Sequence, residues 1–278
     1  MFQYAFGRAL ADDLGENLFL DLTTLRDKKI REGFTYRKFE LQQFPVRAAL
    51  ADQNLLNSII AYPNNRLESF LLGFLKYLGS ITHLHERKFS YDEDILKSLR
   101  GNIFAIGFWQ SEKYFAKWAN QIRSDLKMKA PEDEQNLKYL VRIQNTNAVS
   151  IHVRRGDYVE NSTHPLCKIG YYEDAIAIIR EKVPEPMFFI FSDDTDWVHA
   201  NLSINDNCCI IEHNKQNGTA DMYLMSQCKH HIIANSSFSW WGAWLNESSD
   251  KIVIAPQKWF YNTSIDTNDL IPERWISI

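Results

Sequence analysis

"AVSIHV", residues 148–153, runs straight into "RRGDY", residues 154–158. A short apolar, β-branched run that stops abruptly in charge reads as a strand buried on both faces, with its polar groups at the carboxyl end. The same pattern repeats downstream. "YYEDAIAIIREKV" (171–183) has helical spacing, "MFFIF" (187–191) is a second strand, and a short helix is expected around "DWVHANL" (196–202). "CCIIEH" (208–213), "HIIA" (231–234) and "KIVIA" (251–255) read as strands, the last of them closing the series. "ADMYLMSQC" (220–228) and "SFSWWGAWLN" (237–246) read as the helices between them. Strict alternation of short strands and helices predicts a parallel, doubly wound α/β sheet.

The first half is less regular. "QYAFGRALADDL" (3–14) places Phe6, Leu10 and Leu14 on one helical stripe, with Gly15 as a stop. "NLFLDL" (17–22) and "NIFAIGFWQ" (102–110) read as strands, and "RLESFLLGFLKYLG" (66–79) as a helix. A further helix is expected over 112–128, capped by Ser111 and burying Phe115, Trp118, Ala119, Ile122 and Leu126. The acidic helix "PEDEQNLKYLVRIQN" would start with Pro131 in its first turn and end at a domain boundary near residue 146. The expected domains are therefore 1–146 and 147–278.

Bulk properties narrow the function classes. Of 278 residues, 31 are basic and 35 acidic, a net charge of −4, so a generally basic nucleic-acid surface is not indicated. Cys167, Cys208, Cys209 and Cys228 lack metal-site or disulfide-framework spacing, which makes reduced thiols the default. No apolar stretch reaches membrane-spanning length and no signal-peptide pattern opens the chain, so a cytoplasmic location is expected, with peripheral membrane association left open. Without a secretion signal, triplets such as Asn217-Gly218-Thr219 carry no glycosylation meaning.

In open α/β sheets, ligands sit beyond the carboxyl ends of the strands. Four strands here end in polar signatures: "HVRRGD", "FSDD" (191–194), "EHN" (212–214) and "ANSS" (234–237). Asn235, Ser236 and Ser237 precede a helix, where backbone N–H groups and hydroxyls favour phosphate; simple helix capping is the alternative. His152 and Arg154 share a strand face, so Arg154 is the better candidate to fork onto a diphosphate, while Arg155 braces Asp157 or the sheet. A structural Arg–Asp network is the competing reading, and an adhesive RGD loop is disfavoured by the buried strand it continues. Asp194-Thr195-Asp196 is a D-x-D, which would suit magnesium or manganese; alternatively Asp193 or Asp194 binds a nucleobase and Thr195 or Asp196 caps the next helix.

Together, "HVRRGDY" (152–158), "FSDD" (191–194), "NSSFSWWGAWL" (235–245) and the opening "MFQYAFGRALA" (1–11) resemble the bacterial and animal α-1,2-fucosyltransferases. The resemblance implies a GT-B-like fold, two Rossmann-like domains facing a cleft, here with the first domain lacking its usual first strand and glycine-rich turn. It implies GDP-β-L-fucose as co-substrate, no other cofactor, no metal, and inverting transfer to O2 of a terminal galactose on a glycan acceptor. The first domain would be the acceptor side and the second the donor side. Carried over, Arg154 would bind the diphosphate with Arg155 close by. His152 and Asp193 or Asp194 would approach the guanine half, and Ser236 and Ser237 would hold phosphate oxygens. Asn235 and Phe238 complete the donor-side set. Asp157 is the nearest candidate for general base, although two neighbouring arginines would keep its carboxylate ionised and weakly basic, so an orienting ion pair is an equal alternative. A metal-dependent transferase using Asp194 and Asp196, or a non-catalytic nucleotide-sugar-binding protein, are the other readings. Trp109, Tyr114 and Trp118 could stack on sugars, with core packing the simpler role.

Overall fold

A computed structural model describes residues 1–27, 38–59, 81–97, 99–160, 162–204, 207–215 and 217–278. They form two compact units, Met1–Leu126 with Ile265–Leu270, and Lys127–Ser264 with Ile271–Ile278. The division falls ahead of the boundary expected near residue 146, because the intervening helix belongs to the second unit: its Ile143 packs with Ala148, Phe189 and Leu224. The segment 265–270 returns to the first unit, where Asp269 accepts from the Tyr91 N–H at 2.9 Å and pairs with Lys113 at 2.6 Å.

In the first unit, helix α1 (Phe2–Leu14) ends at Gly15 in the left-handed conformation, as read. Its buried residues include Phe2, Tyr4, Phe6 and Ala9 rather than a Phe6–Leu10–Leu14 stripe. Phe6 stacks on Trp109 at 4.1 Å, and Tyr4 donates to Asp125 at 2.8 Å. Short helices α2 (Thr23–Arg26), α3 (Gln53–Ile59) and α4 (Asp94–Lys97) accompany two parallel pairs, β1 (Phe19–Leu20) with β2 (Ala49–Leu50), and β3 (Thr82–His85) with β4 (Ile103–Ile106). The strand expected over 17–22 is thus only two residues long. The continuous helix expected over 112–128 is instead two 3-10 turns followed by α5 (Ala119–Asp125), with Ser111 capping as predicted. Phe115, Ile122 and Leu126 are buried there. The helix expected over 66–79 lies outside the described residues.

The second unit contains α6 (Glu134–Gln144), β5 (Asn147–Val153), α7 (Ile169–Lys182), β6 (Pro186–Ser192), α8 (Thr195–Asn201), β7 (Cys208–Ile211), α9 (Gly218–Gln227), β8 (His230–Ile232), α10 (Ser237–Leu245), β9 (Val253–Ala255) and β10 (Ile276–Ser277). Asp133, not Pro131, opens α6, its carboxylate accepting from the Asn136 N–H. All strands pair in parallel, in the order β10-β9-β8-β5-β6-β7. The expected α/β parallel sheet is therefore present, with β10 added beyond the strand expected to be last.

Period-two alternation sorts β5 between two cores. Val149, Ile151 and Val153 pack with Tyr172, Ala175 and Ile179 of α7, while Ala148 faces Leu224 and Met225 of α9. Helix α10 is apolar nearly all round, with Trp240, Trp241 and Trp244 buried, as a helix enclosed on most sides requires.

The strand order has a functional consequence. From β5 the chain runs outward through β6 and β7, then crosses back to β8 on the other side of β5. The reversal opens a crevice at the carboxyl ends of β5 and β8, where open α/β sheets bind ligands. "RRGDY" and "NSS" leave those two strands.

Candidate functional site

Strand β5 ends at Val153, so its alternation no longer governs the two arginines. Arg154 places Nη1 2.6 Å from Asp193 and also pairs with Asp157. Arg155 donates its N–H to Asp193 at 2.8 Å and its Nε–H to Asp194 at 2.9 Å, and lies 4.4 Å over the Trp197 ring. Asp157 is thus braced by Arg154, not by Arg155. All five charged partners keep about a fifth to a third of their side chains exposed, so solvent tempers each pair.

Gly156 makes the close approach feasible. A β-carbon there would sit 2.5 Å from Asp193 Oδ2, inside van der Waals contact. Asp194 caps α8, accepting from the Trp197 N–H at 3.1 Å. The Arg155 hydrogen bond, then that cap, hold its carboxyl below the usual range. Both Asp194 oxygens are thereby engaged, and a cation would have to compete with Arg155 for one of them.

The loop after β5 is tied to the entrance of α10. The Arg154 guanidinium lies 5.4 Å over the Tyr158 ring, and the Tyr158 hydroxyl donates to the Asn235 carbonyl at 3.2 Å. The Asn235 side chain is buried and turned inward. It donates to the carbonyls of Pro165 (2.8 Å) and Trp259 (3.2 Å), and its Oδ1 lies 3.4 Å from Cys167 Sγ. Asn235 is thus a tie between the loops after β5, β8 and β9, which fixes the position of the next two residues. Ser236 is buried and caps α10 through the Phe238 N–H, while Ser237 is exposed. The helix N-terminus, with its unpaired N–H groups, supplies partial positive charge beside that exposed hydroxyl.

His152 is 4% exposed, its ring 5.3 Å from that of Phe238. Burial, aided by Arg154, pushes its pKa down to about 3, so the imidazole is neutral. Its Nδ1 has no hydrogen-bond partner among the described residues. A buried polar atom left unpaired marks a place where a ligand can complete the bonding.

The structure therefore gathers Arg154, Arg155, Asp157, Asp193 and Asp194 into one linked set, sets buried His152 against Phe238 on the strand that leads to it, joins Arg154 to the α10 entrance, and turns the Asn235 amide away into loop bracing. Sequence reasoning passed over Tyr158 and Trp197, the aromatic supports of the two arginines. Tyr158 closes "HVRRGDY" and Trp197 follows Asp194 by three residues, but only the fold decides which ring meets which cation. Trp109 and Tyr114 are buried in the first unit, consistent with core roles, and Trp118 lies against Lys117 and Asp13. Among the described residues no helix is long and apolar enough to cross a membrane, and no three His, Cys, Asp or Glu side chains gather in a metal-binding cluster.

Comparison with known proteins agrees with the motifs. The profile of Glycosyl transferase family 11 matches residues 86–278. An Escherichia coli protein named alpha-1,2-colitosyltransferase is 35% identical over all of this chain and 94% of its own length. The Escherichia coli O-antigen biosynthesis glycosyltransferase WbnK is 32% identical over all of this chain and 96% of its own. Galactoside 2-alpha-L-fucosyltransferase SEC1 of Bos taurus is 31% identical over 41% of this chain and 33% of its own. The chain belongs to Glycosyl transferase family 11.

Proposed function

We propose that this glycosyltransferase binds a GDP-activated 6-deoxy-L-hexose, GDP-β-L-fucose in the first instance, and transfers the sugar with inversion to O2 of a terminal galactose. The observation that carries the reading is the Arg154–Tyr158–Asn235 tie, which joins a guanidinium to a serine-bearing helix entrance at the switch point of a parallel sheet. A cation beside a helix N-terminus is a site for a diphosphate.

In the reaction the acceptor hydroxyl oxygen forms a bond to the anomeric carbon as the bond from that carbon to the β-phosphate oxygen breaks. The bonding pair leaves with GDP, and the hydroxyl proton passes to a base or to solvent. Arg154 and the α10 entrance would stabilise the charge that builds on the β-phosphate, with no cofactor beyond the nucleotide-sugar and no metal required. The neutral, unpartnered Nδ1 of His152 suits a hydrogen bond to the nucleobase. Asp157, paired with Arg154, orients that guanidinium in this scheme; proton acceptance is left to another group.

The name of the colitosyl relative favours one specific second reading, a donor carrying colitose, which is L-fucose without its 3-hydroxyl. A site that hydrogen-bonds that hydroxyl discriminates strongly against the sugar lacking it. Assays with GDP-fucose and GDP-colitose over a panel of galactosides decide between the donors. In the same assay Arg154→Ala should lower kcat/KM by about 100-fold or more. Near-normal turnover by that variant removes the diphosphate assignment, and donor binding without turnover on any galactoside points to a binding protein.

A further inference from the structure

The turn 107–109 follows β4, and its construction is unusual. Trp109 has φ 56°, a left-handed backbone conformation that non-glycine residues rarely adopt. Its indole is 1% exposed, stacked on Phe6 and set edge-on to Tyr114 at 5.4 Å. Glu86, immediately after β3, clamps the turn with both oxygens: one accepts from the Phe108 N–H at 2.8 Å, the other from the Trp109 N–H at 2.9 Å. Gln3 donates to the Gly107 carbonyl at 2.8 Å. Glycine is required at 107, since a β-carbon would lie 2.5 Å from that of Glu86.

Three separate elements thus hold one strained turn, and the side chain it displays is a bare phenyl ring. Phe108 is 63% exposed, the most exposed of the large apolar side chains among the described residues. The turn seats Trp109 in the core and in the same step turns the Phe108 ring away from it. Backbone strain that the surroundings over-determine clusters at functional sites, and here the strained turn is what presents the aromatic ring. Since β3 and β4 are parallel, Glu86 and Phe108 lie at the carboxyl edge of their pair.

We infer that Phe108 is a stacking platform for the apolar face of a pyranose ring of the acceptor glycan, with Glu86 as the positioning residue that holds it. The inference rests on the reading above that the chain glycosylates a galactose-terminated acceptor. The chemistry fits: a galactose ring offers a C–H face to an aromatic ring and hydroxyls to polar neighbours. Glu86 spends its carboxylate on the backbone, so it acts through the turn and not on the sugar.

The test has two independent readouts. Saturation-transfer NMR with a panel of galactose-terminated oligosaccharides reads acceptor binding directly, and steady-state kinetics reads the split between constants. Because Phe108 is exposed, Phe108→Ala leaves the fold intact. It should raise the acceptor KM about tenfold, the size expected for losing an aromatic contact, with the donor KM and GDP affinity unchanged. Phe108→Trp should restore binding, and Glu86→Gln should give an intermediate rise. Unchanged acceptor binding in Phe108→Ala overturns the inference. Absence of turnover by the parent protein counts against the proposed function; absence of NMR binding across the panel counts against the platform.

Discussion

Tyr158 donates its hydroxyl hydrogen to the Asn235 carbonyl across 3.2 Å while its ring supports the Arg154 guanidinium from 5.4 Å. One side chain therefore couples the loop after β5 to the entrance of α10. The two halves of the proposed anion pocket come from strands that the sheet topology makes neighbours, β5 and β8, although 80 or so residues separate them in sequence. A cation and a helix end held at fixed separation need no rearrangement when phosphate charge grows, which is the condition for electrostatic stabilisation of a leaving group.

Tyr158→Phe isolates the tether. The ring stays under Arg154, the hydrogen bond disappears, and the Asn235 carbonyl loses one acceptor role. Stability should fall by about 1 kcal/mol, while donor affinity falls by roughly three- to tenfold as the helix entrance drifts. Urea denaturation and GDP calorimetry check the two numbers separately. Unchanged affinity would show that the loops hold their spacing without the tyrosine.

Gly156→Ala tests the crowding beside Asp193. The new methyl would meet Asp193 Oδ2 at 2.5 Å, and the carboxylate must rotate away. That movement weakens both the Arg154 pair and the hydrogen bond from the Arg155 N–H. Losing one charge-assisted hydrogen bond corresponds to roughly a 10- to 100-fold drop in kcat/KM. Circular dichroism should show an unchanged fold, because residue 156 is exposed.

The second unit was legible because its strands are short, apolar and bounded by polar stops. The pairing of residues 276–277 was missed because a two-residue strand carries no periodicity. The first unit resisted for a different reason. Apolar residues crowd both sides of α1, so Leu10 and Leu14 fit a helical stripe as well as the true contacts Phe2 and Ala9 do. In the run 112–128 two 3-10 turns shift the phase of every later side chain, and no propensity marks that shift. At the site, the strand's end at Val153 undid the alternation used to assign Arg154 and Arg155, and Asp157 pairs with Arg154 while Arg155 holds Asp193 and Asp194. The inward turn of Asn235 was equally hidden, since its acceptors are main-chain oxygens of Pro165 and Trp259 that only the fold brings near.

Ser236 and Ser237 should separate cleanly. Ser236→Ala removes the α10 cap and should cost about 1 kcal/mol of stability. Ser237 is exposed, and Ser237→Ala should stay within about 0.5 kcal/mol of the parent. Only the second variant can report on phosphate contact without a stability effect. Its GDP affinity should fall severalfold; an unchanged affinity leaves the phosphate to Arg154 and the backbone N–H groups.

Asp221 lies in the first turn of α9, accepting from Asn214 at 2.9 Å, and Asn214 exchanges two amide hydrogen bonds with Asn136. Burial outweighs that bond and raises the Asp221 pKa from 3.8 to about 7. The folded state thus binds this proton more tightly than the unfolded chain does. Its stabilising contribution is complete below the unfolded value of 3.8 and is lost as pH rises through about 7. His152 acts in the opposite sense: with its folded pKa near 3, stability is lost as pH falls below 6.5, so the parent's profile mixes the two. The difference between Asp221→Asn and the parent isolates the carboxyl. Asparagine keeps an acceptor for Asn214 and carries no charge, so the variant should have the higher Tm at about pH 8, an advantage that shrinks on acidification and vanishes near pH 4. A Tm difference that does not vary with pH would mean that the carboxyl titrates as it does in the unfolded chain, and that water reaches it.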